Sequence, residues 1–377
     1  MRTAHWETFR APRRCCNKPM TSPITLAAPP VAAPTGPAMQ FGLFVPQGSR
    51  MELAGIDTAA HWTAMLDVAR LAERGPWDSL WLVDHLHTLP VATDEATYEV
   101  WALMAALAAT TARIRLGQMC TCAGFRNPAL LAKIAATTDV ISGGRVDVGL
   151  GAGWYEAEWR AYGYDFPPLG ERLGRLRESV EILHRLWTEG RATLDGRYHR
   201  VSGAVCRPLP LQRGGIPMWI AGGGEKVTLR LAARHATYTN FTGDPDGFRH
   251  KSAVLAGHCR DVGRDFATIR RSASYKVVIG ETTAEVRDTL RRLRARYERL
   301  VGAEQAERIC RDYASGLLVG TAEQVAERLL RMRALGLAYA MVYFPGIAHD
   351  RSGVELFSRE VIPAVSGGVV SGARDSS

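Results

Sequence analysis

Four short stretches hold groups that could do redox or transfer chemistry. Asp84-His85 sets a carboxylate beside an imidazole. An imidazole titrates near neutrality and can donate or accept a proton. Asp84 could orient that ring or cap the segment that follows, and His85 could equally be a loop histidine with a structural hydrogen bond. Met119-Cys120-Thr121-Cys122 places two thiols at the end of an apolar run. Gly149-Leu-Gly-Ala-Gly-Trp154 alternates glycines, so its backbone can turn tightly or lie close to a flat group. As a dinucleotide fingerprint it fails, because Trp154 stands where the third glycine should be. The planar Trp154 ring could wall a cofactor; Trp159, Trp187 and Trp219 read as core or lid fillers. Gly222-Gly223-Gly224, followed by Lys226 and Arg230, forms either a phosphate nest at a helix start or a plain turn. No H-x-x-x-H and no carboxylate pair with ligand spacing occurs, so no metal is expected.

The elements between these stretches determine what they can do. Short apolar runs at Gln40–Pro46, Ser79–Val83, Arg113–Met119, 145–149, 217–221, 237–241, 271–279 and Tyr339–Phe344 read as strands. Helical patterns separate them. They cover Ala59–Arg74, Tyr98–Thr111, a helix capped by Asn127-Pro128 and running to Ile141, and then 225–234 and 247–262. The stretch from Thr283 to Arg333 is helical with a break near Tyr313–Gly320, and a last helix covers about Val354–Val361. After the fourth strand comes an excursion. It holds a helix over Glu171–Glu189 and a hairpin over Ala192–Val201 turning at Asp195-Gly196. Eight strand–helix units predict an α/β (β/α)8 TIM barrel with an insertion after strand 4. A doubly wound sheet would want its phosphate loop after the first strand, where Pro46-Gln-Gly-Ser49 is a poor candidate. In a barrel the active site lies at the strands' C-terminal ends. That rule selects Asp84 and His85, then Met119 to Cys122 with Arg126, then Gly151, Ala152, Gly153, Trp154 and Tyr155. It also selects Gly222 to Gly224 with Lys226, Asn240 and Thr242, and Pro345 and His349.

Composition narrows the class. The 377 residues are 46% hydrophobic and 23% charged, ordinary for a large globular core. No run approaches the ~18 apolar residues of a membrane span. The net charge of +9 is partly a property of residues 1–38, a Pro/Ala-rich basic tail expected to be disordered, with Met39 as an alternative start. The remainder is thinly spread and suits an anionic cofactor better than a nucleic acid. The Arg-rich run 287–299 reads as an amphipathic solvated helix, since Val286, Leu290, Leu293, Tyr297 and Leu300 recur at helical spacing. Seven irregularly spaced cysteines with no C-x-x-C predict reduced thiols and a cytoplasmic protein. The barrel domain is expected over 39–365, followed by a flexible tail, 366–377.

The ordered set Asp84-His85, Leu116-Gly-Gln-Met-Cys120, Phe125-Arg-Asn-Pro128, Ser142-Gly-Gly-Arg145, Gly149 to Trp154, Glu171 to Glu178 and Ile220 to Gly224 resembles bacterial luciferase-like oxidoreductases, above all their coenzyme F420-dependent branch. The resemblance implies a flavin or deazaflavin at the barrel mouth: F420, with FMN as the alternative. It implies a non-proline cis peptide after strand three, here Met119–Cys120, propping the cofactor ring, with Thr121 beside it. It places His85 opposite the reacting carbon, Gly151 to Gly153 along the ring, and Gly222 to Gly224 near the phosphate. Sugar-phosphate dehydrogenases of the branch carry an acidic glutamate where this chain has Trp154, which implies a neutral or apolar small-molecule substrate instead. The expected activity is hydride transfer with His85 relaying the proton. The alternatives are an FMNH2- and O2-dependent monooxygenase fed by a separate reductase, and a non-catalytic flavin-binding protein. Relatives are often homodimers.

Overall fold

A computed structural model describes residues 38–367. The expected tails, 1–38 and 366–377, lie outside the described residues except for their inner ends. The strands are β1 (Gln40–Phe44), β2 (Ser79–Leu82), β3 (Arg115–Cys122), β4 (Val146–Gly151), β5 (Arg191–Asp195), β6 (Arg200–Val205), β7 (Met218–Ala221), β8 (Tyr238–Phe241), β9 (Arg270–Gly280), β10 (Leu318–Thr321) and β11 (Leu337–Tyr343). The helices are α1 (Thr58–Arg74), α2 (Val100–Thr110), α3 (Pro128–Ser142), α4 (Glu156–Ala161), α5 (Leu169–Thr188), α6 (Thr228–His235), α7 (Pro245–Asp261), α8 (Thr283–Ala314), α9 (Ala322–Ala334), α10 (Ser352–Leu356) and α11 (Ile362–Ser366). Eight strands pair in parallel in the order β11-β1-β2-β3-β4-β7-β8-β9, and β9 returns to β11, which closes a (β/α)8 TIM barrel.

Local chemistry explains most boundaries. Asn127 accepts from the N–H groups of Ala129 and Leu130, Pro128 occupies the first turn, and Gly143 in the left-handed region ends α3. Thr321 and Gln324 form a reciprocal capping box on α9. The Arg-rich helix α8 buries Val286, Leu293 and Tyr297. Its arginines pair along the surface, Arg291 with Asp288 and Arg294 with Glu298.

An aromatic layer fills part of the barrel interior. Trp219 stacks on Tyr238 at 3.9 Å, and Trp81 meets Trp219 edge-on at 4.6 Å. Gly42 and Gly117 make this possible, because a Cβ on either would overlap the Trp81 ring. The buried polar atoms of the layer are matched: the Trp81 indole donates to Ser79 (2.6 Å) and the Trp219 indole to Asp147 (3.1 Å), which pairs with Arg115 (2.7 Å).

The structure adds elements that the sequence pattern did not reveal. The excursion after β4 splits around α5, which serves as the barrel's fourth helix. Residues 152–168, including the unexpected α4, precede it, and the expected hairpin follows as antiparallel β5–β6. The break near Tyr313–Gly320 is β10, a ninth strand pairing with the far end of the long β9 outside the closed ring. The helix α6 starts at Thr228, three residues beyond the expected Glu225.

Candidate active site

The C-terminal ends of β2, β3, β4 and β7 enclose a cavity of about 420 Å³, a usual size for a cofactor-sized ligand. Its lining includes His85, Met119, Cys120, Gly151, Ala152, Gly153, Trp154, Gly222 and Gly224. One side is the β3 bulge. The β3–β4 register shifts between Gln118 and Thr121, and the Met119–Cys120 peptide is cis. Facing it is the bare backbone of β4. A Cβ on Gly151 would strike the Cys120 sulfur, so this glycine lets strand and bulge meet. Burial and the nearby Asp84 charge push the Cys120 thiol up to about 12, and burial pushes Cys122 higher still. Both are neutral packing groups rather than nucleophiles.

His85 projects into this cavity, and its orientation comes from an unexpected residue. Its Nδ1 lies 3.0 Å from Oε2 of Glu158, in the first turn of α4, while Oε1 accepts from the Leu86 N–H at 2.7 Å. Glu158 is 2% exposed and His85 17%. Burial alone would raise the Glu158 carboxyl. The hydrogen bond and charge of His85, with the N–H groups of Leu86 and His87, outweigh burial and hold it below its ordinary value. An ionised carboxylate only accepts, so Nδ1 donates and Nε2 is the nitrogen free to exchange a proton with the cavity.

Asp84 therefore does not orient the ring, as its position next to His85 had suggested. Its carboxylate takes a two-pronged bond from Arg126 (2.7 and 3.0 Å) and the Cys122 N–H (2.9 Å), which anchors the bulge. Thr121 is also turned away from the cavity: fully buried, its hydroxyl donates to Gln118. Gly223 lies behind the lining, against Lys251. Lys226 and Arg230 face a separate groove between α5 and α6. Near Gly222 and Gly224 the cavity instead offers backbone and Thr228.

The insertion folds over this mouth. Trp159 is 2% exposed, packed on Phe125 and Phe166, and a Cβ on Gly124 or Gly153 would collide with it. Arg172 of α5 donates to the Gly153 and Pro167 carbonyls and lies 4.0 Å over Phe166. Tyr155 and Tyr162 donate to the Pro90 and Leu86 carbonyls at 3.1 and 2.8 Å, tying the insertion to the loop after β2. Trp154 stands at the rim, 66% exposed and edge-on to His85 at 6.0 Å.

A second cavity of about 230 Å³ lies beside the first, at the ends of β1, β9 and β11, and Val83 and Met119 line both. Among the described residues no cluster of three His, Cys, Asp or Glu side chains is placed to hold a metal ion. No helix there is long and apolar enough to cross a membrane.

A closed barrel with a cis bulge, a glycine strip and a carboxylate-held histidine at its mouth defines a class of TIM barrels with an open pocket at the strand ends. The chain belongs to the luciferase-like monooxygenase family, whose family model matches residues 39–339. It is 38% identical over 179 residues to an F420-dependent glucose-6-phosphate dehydrogenase of Nocardia farcinica, across 45% of this chain and 50% of that protein. It is 28% identical over 262 residues to an FMNH2-dependent dimethylsulfone monooxygenase of Pseudomonas putida, across 63% of this chain and 71% of that protein. The chain thus spans about half the length of the dehydrogenase it matches. A solved F420-dependent secondary alcohol dehydrogenase, in complex with an F420-acetone adduct, superposes with a TM-score of 0.72 at 21% identity, covering 87% of this chain and 99% of the other. At that identity the likeness concerns the fold.

Proposed function

We propose that the chain is an F420-dependent oxidoreductase acting on a small organic substrate with a reducible C=C, C=N or carbonyl group. The observation that carries the proposal is the pairing of the Met119–Cys120 bulge with the Gly151–Gly153 strip across from His85. The residues fit a deazaflavin: a flat ring needs a slot without side chains on one wall, and its phosphate needs backbone N–H donors. Gly151 to Gly153 would flank the ring, and Gly222, Gly224 and Thr228 would hold the phosphate. When bound, the deazaflavin supplies or accepts the hydride. The chain's own part is to orient the reactants, exclude water beneath the insertion, and move the proton at His85 Nε2, with Glu158 holding the ring. The five described cysteines are free, which agrees with a reducing, cytoplasmic setting.

Titration of the purified protein with F420 and, separately, with FMN tests the cofactor assignment by fluorescence quenching. F420 should bind the more tightly; tight FMN binding with none of F420 overturns it. His85→Ala should slow turnover about 10²–10⁴-fold, the range for a positioned proton donor, with little change in cofactor affinity. Equal loss of both would reduce His85 to a cofactor contact. The match to an FMNH2-dependent monooxygenase over 71% of that protein's length favours one second reading, an O2-using enzyme with reduced FMN and a separate reductase. Substrate-dependent oxygen consumption with reduced FMN would select it.

A further inference from the structure

The smaller half of the mouth has a charge pattern that the proposed cofactor does not use. Arg50, just beyond β1, lines it together with Glu52, Lys276 and Tyr343. The Arg50 guanidinium lies 5.1 Å over the Tyr343 ring. Among the described residues no carboxylate lies within ion-pairing reach of it and no acceptor takes its side-chain N–H groups. Lys276, by contrast, is answered by Asp312. Glu52 is 3% exposed and accepts the Arg50 backbone N–H at 2.8 Å, and burial raises its carboxyl above the ordinary value.

A guanidinium left without a partner in a recess is costly unless something completes it. Its five donors form a planar fork that matches a carboxylate with two parallel bonds. With Lys276 answered by Asp312, Arg50 is the cation of this wall whose side-chain fork is open, which suits a single carboxylate. A phosphate dianion would meet repulsion from Glu52 on the same wall. The cavity adjoins the larger one through Val83 and Met119, so a ligand anchored at Arg50 would extend toward the ring pocket.

We propose that Arg50 binds a carboxylate of the substrate, in the half of the mouth opposite the glycine strip, with Lys276 flanking it. The proposal rests on the oxidoreductase reading for its connection to turnover. It replaces the neutral or apolar substrate implied by Trp154 with a monoanionic acid whose reducible group lies a short chain away from its carboxylate.

The test is calorimetric titration of the full chain, with and without F420, using 4-phenylbutyrate, its neutral amide and inorganic phosphate as probes. The carboxylate should bind at least tenfold more tightly than the amide and than phosphate. Arg50→Met should abolish that preference while leaving F420 affinity within about twofold. Glu52→Gln keeps the acceptor for the Arg50 N–H and removes a negative charge, so it should bind the carboxylate at least twofold more tightly. That gain of affinity keeps the proposal testable if Arg50→Met fails to fold. Equal binding of carboxylate and amide, tighter binding of phosphate, an unaltered preference in Arg50→Met, or no gain in Glu52→Gln overturns it. So does loss of F420 binding in a folded Arg50→Met, which would make Arg50 a cofactor contact. If the wild-type chain fails to bind F420 yet keeps the preference, the cofactor reading falls and the carboxylate site stands.

Discussion

A single carboxylate determines what His85 can do. With Glu158 ionised, Nδ1 must donate to it, which leaves Nε2 as the ring nitrogen that can take up or release a proton. Glu158→Gln can present its carbonyl to Nδ1 or turn its amide N–H toward it, so the tautomer is no longer fixed. Turnover should fall about 10–100-fold, the usual cost of losing a partner that positions a functional side chain. Cofactor affinity should hold within about twofold, and a parallel fall in affinity would mean that Glu158 merely braces the loop. The same residue predicts a pH effect. Its folded value is depressed, so the folded state binds fewer protons than the unfolded state between the two values. Its contribution to stability is present above the unfolded value, about 4.3, and is lost as pH falls from there through the folded value. Wild-type stability should fall more steeply than that of Glu158→Gln below about pH 4, as read from urea midpoints; identical slopes would refute the coupling. His85 was legible in the sequence because the barrel rule selects whatever follows a strand. Glu158 was not, because the N–H groups and the imidazole it serves lie more than seventy positions earlier in the chain.

At the scale of elements, the glycine strip does more than make room for a ring. Gly153 has φ +78°, a left-handed conformation, and a Cβ there would meet Trp159 and the Cys122 sulfur. Its carbonyl is held by Arg172. Strip, α4 and α5 are thereby one packed unit, in which Trp159 against the strip is the chain neighbour of Glu158. Gly163 has the same φ with open space around its missing Cβ, so it isolates backbone strain. Gly163→Ala should cost about 1–2 kcal/mol, and Gly153→Ala about 2–4 kcal/mol because overpacking is added. Gly153→Ala should also slow turnover. Equal losses from urea unfolding would show that Trp159 yields without cost. Periodicity made the eight barrel strands and their helices readable to within a few residues, because buried parallel strands are short apolar runs with turn residues at both ends. It missed α4, six residues long and stabilised by Trp159 rather than by an amphipathic pattern, and β10, which borrows its edge from β9. Arg50 is hidden in the sequence for a related reason. The loop after β1 reads only as a poor phosphate cradle, Pro46-Gln-Gly-Ser49, whereas the barrel rule places its side chains at the mouth as surely as those after β2.

Across the whole molecule, the groups that close the barrel are separate from those that build its mouth. The last helical turns return to the start of the chain. Phe357 is fully buried, stacks on Trp77 at 5.6 Å and meets Phe41 and Phe344 edge-on at 5.8 and 5.6 Å. Next to it, Ser358 accepts from the Trp77 indole at 2.9 Å. Phe41 and Trp77 flank the first barrel helix, so this cluster joins the two ends of the described chain where β1 meets β11. None of its four rings lines either half of the mouth. Phe357→Ala should therefore cost about 3–5 kcal/mol, the range for emptying a buried aromatic site. Measured at 10 °C, where the variant stays folded, it should bind F420 within about twofold of wild type. Gly153→Ala is the contrasting case, predicted to lose both stability and turnover. If Phe357→Ala weakened cofactor binding at a temperature where the protein is folded, the closure would be coupled mechanically to the mouth, and barrel and site could no longer be treated as independent.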